Sequence, residues 1–478
     1  MDYEAVIGLE THAHFLTASK MFCGCSSAFG AAPNTQTCPV CQGLPGSLPV
    51  INRAAFELGL KIAIALQCEI APVTQFDRKN YYYPDLPKNY QISQNYNNLG
   101  VNGWLDLEVG DFTRRVGIWN VHLEEDAGKL EHPEDTGANF TAVDLNRAGT
   151  PLLEIVSAPD MRSAEEANAY MMELAALLRY LDVSDCKMEE GSLRFEAGIS
   201  VRPQGSDRLG SRVEVKNLNS MSAVAHAIEY EIKRQVELIE SGGTVASQTM
   251  LWSVARGATE PMRSKEEAKD YRYFPEPDLV PVEVGTDWIE TVRAGLPELP
   301  ADKRRRFVSD YGLPPYDAAV LVENKAVAAY YEDCVAAGAD PKQASNLVMG
   351  EVLRELKERR LEIDRLAVTP QMLAELIGLV ADGRLSNNIG KEVFAEMAAT
   401  GKRAGAVVEQ KGLTQISDTG ELEAAVAASL ADNPKAVEDL RAGKKQAKRF
   451  LLGQVMRVTR GKANPKVVGE LIDKLTAG

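Results

Sequence analysis

The chain has 478 residues, 45% hydrophobic and 25% charged, with a formal net charge of −15. That length predicts two or three domains with well-buried cores in a soluble globular protein. The opening residues carry Asp2, Glu4 and Glu10 rather than a basic start and a long apolar run, and no stretch approaches a membrane span, so a secretory leader and membrane insertion are not expected and a cytoplasmic location is.

In chain order, Tyr3 to Phe15 alternates apolar and polar residues and predicts a strand. Four of the seven cysteines follow: Cys23 and Cys25, then Cys38 and Cys41. Two such knuckles can set four thiolates at the corners of a tetrahedron, the geometry of a closed structural zinc site, and their crowding suits a reducing compartment better than a disulfide framework. Four buried free thiols are the alternative, and Cys68, Cys186 and Cys334 read as core residues. The segment Phe76 to Gln91 is a loop by its prolines yet concentrates cations and tyrosines; it suits a phosphate, a base or neither. Strands are predicted at Arg115 to Glu125, Ser192 to Val201 and Ser211 to Asn217. Ser163 and Glu166 form a capping box before a helix with Tyr170, Leu174, Leu177, Leu178 and Leu181 at helical spacing, and a second stripe from Val224 to Ile239 stops at Gly242 and Gly243.

Strands and helices in this order read as α+β, with a break at Leu296-Pro297-Glu298-Leu299-Pro300, where two prolines disfavour continuous helix or central strand. Beyond it, Lys342 to Arg360 and Pro370 to Asp382 carry helical periodicity, and a second break from Lys411 to Gly420 precedes a helical tail. The expected domains are therefore 1–295, 296–410 and 411–478. In the tail, Arg441, Lys444, Lys445, Lys448, Arg449, Arg457, Arg460, Lys462 and Lys466 occur without one Asp or Glu, which leaves −24 on the rest of a chain of net −15. A polyanion would have to be met locally, here; a solvated helix face explains the same run.

Alternate residues of a strand share a face. Glu10, His12 and His14 therefore project together; so do His122 and Glu124, with Glu125 added at the strand's end; so do Ser192, Arg194 and Glu196, and Arg212, Glu214 and Lys216. One sheet face dense in carboxylates, imidazoles and cations suits magnesium or manganese carrying a nucleotide's phosphates, although strands that simply turn a solvated side outward produce the same pattern. None of the five Gly-Lys pairs precedes Ser or Thr, so a P-loop is excluded.

The segments Ile7 to His12, Cys38-Pro39-Val40-Cys41-Gln42-Gly43-Leu44-Pro45-Gly46, Phe76 to Gln91, His122 to Lys129, Asp144 to Glu154, Met188 to Arg194 and Asp270 to Leu279 together resemble the GatB/GatE family of tRNA-dependent amidotransferase B subunits. The resemblance implies a mainly antiparallel cradle domain related to glutamine synthetase, an all-helical domain and a YqeY-like tRNA-binding tail. It implies an ATP-dependent ligase that phosphorylates the side-chain carboxylate of Glu-tRNA(Gln) or Asp-tRNA(Asn). Ammonia would come from an amidase-like A subunit held by a small C subunit, in a heterotrimer. By the same resemblance Glu10, His12, Glu124 and Glu125 are expected to hold Mg2+, with Glu154, Glu190 and Glu214 as further candidates and Arg78, Lys79 and Lys88 as phosphate contacts of ATP. The sequence departs from the family pattern at His14, at Glu196-Ala197-Gly198 and at Met221-Ser222-Ala223. A non-catalytic tRNA-binding scaffold is the competing reading, and the retained carboxylates argue against it because they would repel RNA.

Overall fold

The computed structural model describes residues 2–110, 112–131, 140–262, 271–413, 419–442, 444–459, 463 and 465–476. Asp270 of the family motif and Arg460 and Lys462 of the basic run lie outside the described residues. Residues Met1–Leu299 form one compact unit and Pro300–Gly478 a second.

The first unit is built on strands β1 (Tyr3–His14), β2 (Glu69–Ile70), β3 (Val73–Thr74), β4 (Asp77–Asn80), β5 (Tyr90–Ser93), β6 (Gly100–Val109), β7 (Phe112–Glu125), β8 (Lys129–Glu131), β9 (Ala142–Asp144), β10 (Pro151–Ser157), β11 (Leu193–Pro203), β12 (Val213–Lys216), β13 (Gln248–Ser253), β14 (Ala258–Pro261), β15 (Phe274–Pro275) and β16 (Val282–Glu283). Nine of them form the main sheet in the order β14-β13-β12-β11-β1-β10-β7-β6-β2, antiparallel throughout except between β12 and β13. A small sheet, β15-β4-β5, is separate from it.

Helices α1 (Arg53–Ala65), α2 (Ala164–Tyr180), α3 (Met221–Glu240) and α4 (Thr286–Ala294) belong to this unit. Each of the first three starts where a side chain satisfies free backbone amides: Asn52, Ser163 and Ser220 accept from N–H groups of the first turn. The apolar faces of the strands (Ile7, Leu9, Leu123, Leu153, Ile155, Phe195, Ala197, Val213, Val215) bury against Phe56, Leu60, Tyr170, Leu174, Leu178, Val224 and Ile228 of the helices. With one face so covered, a one-residue slip would bury the carboxylates and expose the core, which pins the register. The predicted strands and helices of this unit are all present, with small shifts at their ends. Helices α1 and α4 and the remaining strands, β6 and β10 among them, have no counterpart in the sequence reading, and the segment Phe76 to Gln91, read as a loop, carries β4 at one end and the start of β5 at the other. Strand β10 opens on Pro151 and runs through Leu152, Leu153, Ile155 and Val156, so as a central strand it has little of the alternation that marks a half-exposed one.

The second unit is helical among the described residues: α5 (Pro300–Tyr311), α6 (Pro315–Val322), α7 (Lys325–Ala336), α8 (Pro341–Leu347), α9 (Leu353–Arg359), α10 (Pro370–Ala381), α11 (Asn387–Thr400), α12 (Ala404–Lys411), α13 (Thr419–Ala431), α14 (Pro434–Arg441), α15 (Lys445–Val458) and α16 (Pro465–Thr476). The helical stretch predicted from Lys342 to Arg360 is α8, a π-helical turn at Val348–Val352 and α9. Helices α13 to α16 close a core of their own from Leu422, Val426, Leu451, Val455, Val468 and Ile472. No helix among the described residues is long and apolar enough to cross a membrane.

Candidate functional site

The order β1-β10-β7 brings together side chains that the chain keeps far apart. Register sets Glu154 opposite His12 on one side and opposite His122 on the other, while Glu10 faces Glu196 across β11. On the uncovered face, His12 Nε2 lies 3.3 Å from Glu154, 3.5 Å from Glu10 and 3.7 Å from Glu124, and His122 Nε2 lies 3.3 Å from the same Glu154 oxygen. Asn120 Oδ1, 2.9 Å from His122 Nδ1, accepts the proton of that nitrogen and aims Nε2 at the carboxylates. Glu10, Glu196 and Glu214 form an adjoining group around Lys216, whose Nζ is 2.6 Å from Glu196 and 3.5 Å from Glu214.

This crowding shows in the acidities. Burial, with the Glu154 charge added, pushes Glu10 up to about 7, and burial also raises Glu124. Burial disfavours a His12 cation, but the hydrogen bond to Glu154 and the charges of Glu154, Glu124 and Glu10 outweigh it and hold the imidazole up to about 9. Glu154 stays well below the usual carboxylate range despite burial, because His122 and His12 flank it. The negative charge is thus balanced by retained protons, and carboxylate oxygens with an occasional imidazole are a donor set that could hold a hard ion such as magnesium.

Not all the expected residues arrive here. Glu125 follows Glu124 directly, so it projects through the opposite face of β7, where its carboxylate accepts from Lys88 Nζ and, at 3.0 Å, from the Ile92 amide. Lys88 is consumed by that pair. Arg78 is likewise committed, bidentate to the buried Glu276 at 2.7 Å and to Asp278 at 3.0 Å. Glu190 sits in the single turn Met188–Glu190, paired with Lys187 at 3.0 Å. Of the expected phosphate contacts only Lys79 remains beside the cluster: burial opposes its ammonium, but Glu124, Tyr273 and Glu154 keep it protonated. Period-two alternation had placed His122 on the right face without assigning it to the site. It gave no sign of Asp126, which takes Arg194 at 2.8 Å and His14 at 2.7 Å, so the departure at His14 is absorbed by an ion-pair network. The departure at Glu196 supplies the partner of Lys216, and Gly198 leaves room for Arg212, whose Nε would lie 3.2 Å from an added Cβ.

The four knuckle cysteines converge, their sulfurs all within 4.8 Å of one another and Cys38 and Cys41 3.9 Å apart. Tetrahedral zinc–thiolate bonds of about 2.3 Å place sulfurs about 3.8 Å apart, so the donor set fits a closed structural zinc site. Hydrogen bonding from the Cys23 thiol, helped by the Lys20 ammonium, holds Cys41 down to about 4.

Fold and site define a class: an open-faced antiparallel cradle that presents a carboxylate–imidazole centre, carries a four-cysteine knuckle, and is followed by a helical unit. The chain belongs to the GatB/GatE family, whose catalytic domain model matches residues 5–290, while a second model, the GatB domain, matches residues 329–475. Among its relatives, the aspartyl/glutamyl-tRNA(Asn/Gln) amidotransferase B subunit of Moorella thermoacetica is 56% identical over 99% of both chains. The proteins of the same name from Caldanaerobacter subterraneus subsp. tengcongensis and Carboxydothermus hydrogenoformans are 53% and 51% identical, again over 99% of both chains.

Proposed function

We propose that this chain is the ATP-using subunit of a cytoplasmic tRNA-dependent amidotransferase, and that it activates the side-chain carboxylate of glutamate or aspartate misacylated onto tRNA(Gln) or tRNA(Asn). The observation that carries this is the convergence of Glu10, His12, Glu124, Glu154 and His122 on three adjacent strands in a chain of this family. A carboxylate is a poor electrophile until one of its oxygens becomes a leaving group. In the proposed reaction that oxygen attacks the γ-phosphorus of ATP, ADP departs, and ammonia then attacks the acyl carbon, expelling phosphate and losing a proton to leave the amide.

Magnesium held by Glu10, His12, Glu124 and Glu154, with His122 beside them, would neutralise phosphoryl oxygens. The chain's own side chains do the rest. Lys79 offers an ammonium next to Glu124 and Glu154, and Lys216, tethered by Glu196 and Glu214, offers another beside Glu10. Asp126, gripped by Arg194 and His14, braces the strand ends behind them. Cys23, Cys25, Cys38 and Cys41 would hold a structural zinc. An amidase-like A subunit with a small C subunit would supply ammonia, and α13 to α16 would form a tail domain that grips tRNA.

The test is ATP-dependent amidation by the complex reconstituted with its A and C partners on Glu-tRNA(Gln) and Asp-tRNA(Asn). Formation of Gln-tRNA or Asn-tRNA that requires both ATP and this chain is the expected result. A complex that binds the tRNAs but amidates neither would favour the scaffold reading.

A further inference from the structure

The segment Phe76 to Gln91, which runs from β4 through a turn into β5, carries side chains with no role in the metal centre or the ion pairs around it. Its cations Arg78 and Lys88 are engaged, yet Tyr82 and Tyr83 are 66% and 53% exposed, although large aromatic rings gain most by being buried. The loop beneath them is anchored: Leu86 is buried, its amide donates to the Tyr83 carbonyl at 3.0 Å, and the Asp85 carbonyl accepts from Gly128 at 2.8 Å. The rings are therefore displayed on a fixed support.

They also continue inward. β4 pairs with β15, the Asn80 amide donates to the Tyr271 carbonyl at 2.9 Å, and Arg272 reaches the Tyr82 hydroxyl at 3.4 Å. Tyr81, Tyr271 and Tyr273 make a chain of edge contacts with centroids 5.9 Å and 6.3 Å apart. Lys79 Nζ lies 5.0 Å from the Tyr271 centroid and 6.0 Å from that of Tyr81. At its inner end this aromatic path lies beside the carboxylate cluster: Lys79 pairs in register with Gln91 of β5, whose side-chain amide donates to the Glu125 carbonyl at 2.8 Å, next to Glu124.

We propose that Tyr82 and Tyr83 are the stacking platform for the unpaired, aminoacylated 3′ end of the RNA substrate, and that the tyrosine path beside Lys79 leads its amino acid to Glu124 and Glu154. Bases present a π-face to aromatic rings whatever their sequence, whereas a chain led by phosphates would be repelled by the carboxylates at the end of the path. The interleaved Lys79 and Arg272 offset the remaining phosphate charge. This inference rests on the proposed amidation of aminoacyl-tRNA and names the side chains that would receive it.

The test uses the reconstituted complex with wild-type chain, Tyr82→Ala, Tyr83→Ala, Tyr82→Phe and Tyr83→Phe. Losing one stacked base costs roughly 1–3 kcal/mol, so each alanine variant should raise KM for misacylated tRNA by about 5- to 140-fold with kcat much less changed, and each phenylalanine variant should restore it. A tRNA with 2-aminopurine as its terminal base should be quenched on binding wild type and the phenylalanine variants, and not on binding the alanine variants. Unchanged melting temperatures exclude unfolding as the cause. If wild type amidates misacylated tRNA while the alanine variants keep its KM and its quenching, the tyrosines are not the platform, and a docking surface for a partner protein replaces this reading. If wild type fails to amidate, the proposed function itself falls.

Discussion

At the scale of single residues, neighbours in sequence have opposite roles. Glu124 and Glu125 differ by one position, hence by one face of β7, and only Glu124 meets His12. His12→Ala or Glu154→Ala should abolish formation of the activated acyl phosphate while leaving tRNA affinity nearly intact, because they remove stabilisation of phosphoryl transfer worth several kcal/mol. Rapid-quench measurement of the phosphorylated intermediate decides it; a normal rate in either variant would remove that residue from the site. Glu125→Ala is expected to act on stability instead, since it strands the Lys88 ammonium, at a cost of about 3 kcal/mol by chemical denaturation.

A second residue-scale prediction concerns Glu231 of α3, fully buried and bound by Arg234 at 2.8 Å and 2.9 Å, by Gln235 at 3.1 Å and by the Thr259 hydroxyl. Burial works against its charge, but the hydrogen bonds from Arg234, Thr259 and Gln235 win and lower its pKa below the ordinary value of 4.5. A carboxyl lowered on folding stabilises the fold above its unfolded pKa, and that contribution disappears as pH falls through the folded one. Glu231→Gln should therefore cost about 2 kcal/mol at neutral pH and progressively less below about pH 4.5. Denaturation curves of both proteins from pH 7 to pH 3 check this, and a constant difference across that range would contradict it.

Among the elements, the cysteine knuckle makes the sharpest prediction. Four sulfurs within 4.8 Å of one another match the donor set of a closed zinc site. Protein purified without chelator should contain about one zinc per chain, and removing it should lower the melting temperature of the first unit. Metal-free protein with the same melting temperature and activity would show the cysteines to be core residues only. The basic helix α15 belongs to the same scale. Ala447, Leu451 and Val455 recur every fourth residue and enter the tail core, which turns Arg449 and Arg457 outward; Lys448 pairs with Asp473 at 2.5 Å and Lys444 with Asp439 at 2.8 Å.

For the whole molecule, the division of charge matters more than its sum. A chain of net −15 that gathers nine cations into one acid-free run can meet a polyanion there without meeting it elsewhere. Deleting residues from Lys411 onward removes α13 to α16 with their own core and should leave the first unit folded on its separate one. In complex with its A and C partners, the truncated chain should bind misacylated tRNA more weakly and with a flatter dependence on salt. Equal affinity and equal salt slope would make the tail a solvated helical surface.

The sequence by itself determined much of this protein. Period-two alternation marked β1, β7, β11 and β12, capping residues marked α2 and α3, cysteine spacing marked the knuckle, and long motifs marked the family, because each of these signals is local. What only the tertiary structure decided was which residues meet. Glu154 comes to lie between His12 and His122 because β10 inserts between β1 and β7, a pairing between segments more than a hundred residues apart in one case and carried by a strand too uniformly apolar to announce its faces. Arg78, Lys88 and Glu125 looked available in sequence and are spoken for in space, since Glu276 and the Ile92 amide reach them only after folding. A residue's chemistry follows from its type, but whether its charge is free follows from its neighbours, and those are set by long-range packing.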